Sequence, residues 1–138
     1  MAVRGAAPAA GPGAPAWPEV AAGQPGPLYG LFGEEDFLLG LALDEFLASP
    51  AFAQNPSLNV ERLYASETTP ARVLESARTL PFLGSRRLII LQEVEQYKAD
   101  RLNDFLAYLA DPVPSTTLVL AGAKLDSRTK FAKSLAQH

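Results

Sequence analysis

Residues 87–122 read RLIILQEVEQYKADRLNDFLAYLADPVPSTTLVLAG, and this stretch decides the fold. It opens on Arg87-Leu88-Ile89-Ile90-Leu91, a continuous apolar run typical of a strand in the middle of a parallel sheet. Leu102, Phe105, Leu106 and Leu109 then recur at i, i+3, i+4 and i+7, which predicts an amphipathic helix over about 98–110. Asp111-Pro112-Val113-Pro114 ends that helix. Thr116-Thr117-Leu118-Val119-Leu120-Ala121 is a second buried strand, closed by Gly122. Strand, helix and strand in this order make a right-handed parallel crossover.

The same alternation extends on both sides. Upstream, Thr69-Pro70 is a helix start, with Thr at the N-cap and Pro at the first helical position. Val73, Leu74, Ala77 and Leu80 follow at helical spacing until Pro81. Leu58-Asn59-Val60-Glu61-Arg62-Leu63-Tyr64 alternates as a half-buried strand does, after a turn at Asn55-Pro56-Ser57. Leu28-Tyr29-Gly30-Leu31-Phe32 is a short strand ending at Gly33. Glu34-Glu35-Asp36 supply acid to the first turn of a helix over about 34–48, where it suits the macrodipole. That helix is apolar around most of its circumference and is expected to be deeply buried. Downstream, residues from about 127 onward read as helical. The order predicts an α/β domain with a mainly parallel sheet and helices on both faces.

Residues 1–27 differ sharply. They are nearly all Ala, Gly and Pro, and they hold six of the 12 prolines (Pro8, Pro12, Pro15, Pro18, Pro25 and Pro27). Such a stretch buries too little apolar surface to offset its ordering entropy, so a flexible tail is expected, with Trp17 exposed and idle. Arg4 imitates a signal-peptide n-region, but no apolar block follows it.

Composition removes several functions. The chain has 138 residues, enough for one domain, and 12 Lys+Arg against 15 Asp+Glu give a net charge of −3. This balance argues against a protein that coats nucleic acid over its whole surface. Without cysteine there are no disulfides, thiolate metal sites or cysteine nucleophiles. The single histidine, His138, is the last residue and a poor basis for a catalytic dyad or a zinc site. No run of about 18 apolar residues spans a membrane.

Ligands of such sheets bind at the carboxyl ends of the strands. A phosphate cradle in the first strand-to-helix turn would read GxxxxGK[ST]. Here Gly30-Leu31-Phe32-Gly33-Glu34-Glu35-Asp36 lacks the lysine and sets three acids where phosphates would sit. After Leu88-Ile89-Ile90-Leu91, the acidic pair that would hold a magnesium ion and a water is replaced by Gln92-Glu93. Glu93 and Glu95, at the end of that strand, are read as part of a solvated loop and not as an acid–base pair. No catalytic, metal or cofactor residue is assigned. Lys124, Arg128, Lys130 and Lys133 form a basic cluster after the last strand, either a solvated face or a contact for DNA phosphates.

The segment Thr79-Leu80-Pro81-Phe82-Leu83-Gly84-Ser85 is odd for a connection. Loops are usually polar, yet Phe82 and Leu83 stand between Pro81 and Gly84. They either tuck into the core or project as anchors for a partner's pocket. Spacing alone leaves both open and leans to the core.

Leu80-Pro81-Phe82-Leu83-Gly84-Ser85-Arg86-Arg87-Leu88-Ile89 resembles the "LPFFxxRRLV" segment of the delta subunit of the bacterial DNA polymerase III clamp loader. Leu28 to Leu38 is similar to that family's "YLLYGEEEFL" opening. Leu106-Ala107-Tyr108-Leu109 through Leu120, then Lys124-Leu125-Asp126-Ser127-Arg128-Thr129-Lys130, is similar to its "YLxxPxPxTxLVLxxxKLDxRxK" stretch. The resemblance runs in order from about residue 28 to the end. It implies a three-layer domain of P-loop NTPase or AAA+ type over 28–138, without a functional Walker A motif.

It further implies a non-catalytic subunit of the DNA polymerase III holoenzyme, a nucleotidyltransferase complex. That subunit binds the beta sliding clamp and holds its ring open for loading on primed DNA. By position, Phe82 and Leu83 would be the wedge, with Leu80 and Pro81 shaping the approach. The family often has a second Phe where Leu83 stands, a change of shape more than of chemistry. A lid and a collar domain, which join the other loader subunits, are expected to be missing after His138, so this stretch is read as an N-terminal fragment, monomeric and cytoplasmic at the replisome. The alternative is a DNA-binding module of the same complex that uses Lys124 to Lys133.

Overall fold

The computed structural model describes residues 2–3, 17–82, 84 and 86–136. Its strands are β1 (Ala2–Val3), β2 (Leu28–Phe32), β3 (Val60–Tyr64), β4 (Arg87–Gln92) and β5 (Thr116–Gly122). They form one sheet in the order β1-β2-β5-β4-β3. The β2–β5, β5–β4 and β4–β3 pairs are parallel, and β1 lies antiparallel on the edge. The helices are α1 (Pro18–Ala21), α2 (Asp36–Leu47), α3 (Pro56–Asn59), α4 (Pro70–Ala77), α5 (Ala99–Leu102), α6 (Leu106–Ala110) and α7 (Lys130–Ala136).

Strand side chains alternate between faces, so each central strand feeds two cores. Leu28, Phe32, Ile89, Leu91, Leu118 and Leu120 meet Val73 and Ala77 of α4, Leu102 of α5, Leu109 of α6, and Phe131 and Leu135 of α7. Tyr29, Leu31, Leu88, Ile90, Val119 and Ala121 meet Val20 of α1 and Leu43 and Phe46 of α2. The result is the expected three-layer α/β arrangement. Gly30 allows α7 close to the sheet, since a Cβ there would lie 2.7 Å from Leu135 Cδ2.

Four local expectations are corrected. The helix expected over 98–110 breaks into α5, a 3-10 turn at Asn103–Phe105, and α6, although Leu102, Phe105 and Leu109 still face the core. Residues 56–59 form the one-turn helix α3 rather than a turn and a strand start, so β3 begins at Val60. Helix α2 is not deeply buried: Leu43 and Phe46 face the core, while Phe37, Leu38 and Leu41 are exposed. Its apolar circumference exceeds what one sheet face covers.

The fourth correction concerns the tail. Trp17 is only 3% exposed, and Pro18–Ala21 is helical. The Trp17 ring stands 5.3 Å from Phe46 and 6.3 Å from Tyr29, and Tyr29 meets Phe46 edge-on at 4.8 Å. The Tyr29 hydroxyl donates to Glu19 Oε2 at 2.6 Å and accepts from the Gly26 N–H at 2.9 Å. Ser49 Oγ donates to the Val20 carbonyl at 2.6 Å. A low-complexity composition hid these contacts because every partner is supplied by the tertiary fold. The packed domain therefore begins at or before Trp17. Residues 1 and 4–16 of the expected tail lie outside the described residues.

Removing the ring is expected to leave a large cavity. Trp17→Ala should cost about 3–5 kcal/mol in chemical denaturation. Limited proteolysis of the unaltered chain should leave a core beginning at or before Trp17, not at Leu28.

Candidate protein-docking site

Parallel strands place the two kinds of connection at opposite ends of the sheet. The segment from Arg78 to Arg86 enters β4 and, like α3 before β3, lies at the amino ends of the strands. The turn after β2 and the segment after β5 lie at the carboxyl ends.

The amino end is built on a polar base. Arg87, at the start of β4, is buried. Its Nη1 donates to the Leu58 carbonyl at 2.9 Å and its Nη2 to Ser76 Oγ at 3.0 Å. Ser76 Oγ donates to Glu61 Oε1 in turn, and Arg72 closes on Glu61 Oε2 at 2.9 Å. This network joins α3, β3, α4 and β4 beneath the loop. Arg86 Nη2 reaches Thr117 Oγ1 at 3.2 Å. Burial pulls the Arg86 guanidinium below its ordinary value, with the Tyr29 charge opposing.

Above this base the loop presents apolar side chains. Leu80 is 73% exposed and Phe82 56% exposed, with Pro81 half-buried between them. Phe82 is therefore not a core residue, contrary to the lean of its spacing. Leu83 lies outside the described residues. Leu58 of α3, 51% exposed, adds an apolar side chain at the same end of the sheet. Sequence reading placed it in a strand and missed it.

The Phe82 backbone is held from below. Its N–H donates to Asn59 Oδ1 at 2.7 Å, and its carbonyl accepts from Asn59 Nδ2 at 2.6 Å. Asn59 was also read as strand. The signal that could have flagged it is a low β propensity in an otherwise strand-like run.

Among the described residues the carboxyl end offers no phosphate cradle. Gly33 donates its N–H to the Gly122 carbonyl at 3.0 Å, and Glu34, Glu35 and Asp36 stand exposed at the start of α2. Like charge at that turn repels a polyphosphate. Gln92 Oε1 accepts from Arg62 at 2.7 Å, and Glu93 Oε1 accepts from Ser66 at 2.7 Å. Glu93 adopts φ 65° just past the end of β4, so strand geometry does not extend to Glu93 and Glu95. Glu95 Oε1 instead accepts from the Ala123 N–H at 2.9 Å.

Lys124, Arg128, Lys130 and Lys133 are all exposed at this same end. Arg128 meets Asp126 through two contacts of 3.1 Å. Those hydrogen bonds draw the Asp126 carboxyl below its ordinary value and raise the Arg128 guanidinium. The cluster thus carries its own counter-charge.

The chain resembles known proteins along most of its length. A model of the family described as "DNA polymerase III, delta subunit" matches residues 29–138. This chain belongs to the DNA polymerase III delta subunit family. The delta subunit of Bacillus subtilis DNA polymerase III is 27% identical over 132 residues, which cover 88% of this chain and 38% of that protein. The solved B. subtilis DNA clamp loader delta protein superposes with a TM-score of 0.77 at 26% identity, covering 88% of this chain and 39% of that one.

A DNA polymerase III gamma subunit-related protein from Thermotoga maritima shares the fold, with a TM-score of 0.59 at 18% identity over 80% of this chain and 39% of its own. The delta-family chain described above thus spans about two fifths of the length of these relatives, and it has an AAA+-like fold without the lysine of a Walker A motif. Among the described residues no helix is long and apolar enough to cross a membrane.

Two outcomes test this geometry. Because Leu80 and Phe82 are solvent-facing, Leu80→Ala and Phe82→Ala should each change unfolding free energy by no more than about 0.5 kcal/mol; a core role would cost about 2–5 kcal/mol. Calorimetry of the chain with ATP and magnesium should show no binding heat, and saturable micromolar binding would contradict the reading of Gly33 to Asp36.

Proposed function

We propose that this chain is the clamp-docking part of a clamp loader delta subunit. It seats Phe82 and Leu83 in an apolar pocket of the beta sliding clamp and helps hold one interface of the ring open for loading on primed DNA. The observation that carries this reading is Phe82: a large aromatic side chain, more than half exposed, on a loop whose backbone is hydrogen-bonded to the body of the domain. Membership of the delta subunit family supports the choice of partner. Leu80 and Pro81 shape the approach to the pocket, and Leu58 widens the apolar contact.

The role needs no nucleotide hydrolysis by this chain, in keeping with acids where a phosphate-binding lysine would be. ATP-driven steps, contacts to other loader subunits and contacts to DNA belong to the larger assembly at the bacterial replisome. With the Phe82 backbone already held by Asn59, docking avoids part of the ordering entropy that binding otherwise costs.

Two buried anchors contribute about 1.5–3 kcal/mol each. Their joint loss corresponds to roughly two to four decades of affinity at about 1.4 kcal/mol per decade. The double variant Phe82→Ala/Leu83→Ala should therefore lose clamp binding by 100-fold or more in surface plasmon resonance. Wild-type affinity in that variant would remove the loop from the mechanism.

A further inference from the structure

We propose that Asn59 is a positioning residue that pre-sets the docking loop. It fixes the Phe82 backbone so that the phenyl ring faces solvent before any partner arrives. This inference rests on the docking role of Phe82.

Asn59 ends α3 and is fully buried. A buried side-chain amide must satisfy both of its ends. Asn59 does so on the two polar groups of a single residue 23 positions away. Its Oδ1 accepts the Phe82 N–H at 2.7 Å, and its Nδ2 donates to the Phe82 carbonyl at 2.6 Å. The pairing imitates one rung of a β-ladder, with a side chain in place of the second strand. It holds the peptide groups on both sides of the Phe82 Cα and leaves the ring untouched. A second, longer contact of Nδ2, 3.4 Å to the Gln54 carbonyl, ties the amide back to the segment before α3.

Gly84 fits the same device. A Cβ at that position would stand 3.0 Å from Asn59 Nδ2 and 3.4 Å from the Gln54 carbonyl, so a side chain there would press on the amide that holds Phe82. Asn59 itself, being buried, does not face the partner. Its effect on docking must pass through Phe82.

That requirement gives the test, a double-mutant cycle on this chain against a purified beta sliding clamp. Asn59→Asp keeps the shape and the acceptor for the Phe82 N–H, but turns the donor into an oxygen facing two carbonyls. It should weaken clamp binding about tenfold in the unaltered chain, equal to about 1.4 kcal/mol. In a Phe82→Ala background the further loss should fall well below tenfold. The Phe82 amide should also exchange its hydrogen faster in Asn59→Asp while amides of β4 and β5 keep their protection.

If Asn59→Asp does not fold, Asn59→Ser takes its place in the cycle, with the same expectations. Equal losses in both backgrounds, or a lowered melting temperature with unchanged affinity, would overturn the proposal and leave Asn59 a purely structural residue. Phe82→Ala binding at wild-type strength would instead overturn the docking role on which the proposal rests.

Discussion

Burial of β4 and β5 on both faces is the constraint from which the rest of the domain follows. Ile89, Leu91, Leu118 and Leu120 feed one core, while Leu88, Ile90, Val119 and Ala121 feed the other. A strand apolar on both sides must be covered by helices on both sides. Parallel neighbours then force every connection to cross from one end of the sheet to the other. Loops entering strands and loops leaving them are thereby separated by the length of a strand, about 3.3 Å per residue. In this chain the two ends carry different side chains. The carboxyl end carries acids at the turn after β2, the exposed Phe37 and Leu38 that follow them, and the basic segment after β5. The amino end carries the exposed apolar residues Leu58, Leu80 and Phe82.

The amino end is tied together by polar contacts. Arg87 is buried, and a buried guanidinium is costly unless its donors find acceptors. The Leu58 carbonyl and Ser76 hydroxyl accept from it directly, and Glu61 stands 3.5 Å away. Pairing that guanidinium through Nη1 and Nη2 draws α3, α4, β3 and β4 together at the point where the loop emerges. Asn59 extends the same logic from the base into the loop. Apolar display above and polar satisfaction below are thus parts of one arrangement.

The central strands β4 and β5, and their alternation with helices along the chain, were legible in the sequence because Leu88–Leu91 and Leu118–Ala121 are continuous apolar runs of strand length, whereas β1 and the order of strands in the sheet were not. Helix α4 was legible from its Thr69-Pro70 start, and the Thr69 hydroxyl does accept from the Arg72 N–H at 3.3 Å. Two large apolar residues in a connection singled out the segment around Phe82; spacing leaned toward the core, and the resemblance to delta subunits pointed to an anchor. Composition misjudged Trp17, because its partners Tyr29 and Phe46 are adjacent only in the folded chain. It overstated the burial of α2, because periodicity counts apolar residues but not the area available to cover them. The partner of Asn59 was not legible for a related reason: it is a backbone segment 23 residues away, and backbone partners leave no signature in side-chain pattern.

The central claim is that the partner docks at the amino ends of the strands and that the degenerate nucleotide end takes no part. Nuclear magnetic resonance of the isotope-labelled chain titrated with beta sliding clamp tests it directly. Shift changes and line broadening are predicted to concentrate on residues 56–59 and 78–86, while Gly33 to Asp36 and Lys124 to Lys133 stay unperturbed. Perturbation centred on the carboxyl end of the sheet, with the Phe82 loop unaffected, would contradict the account.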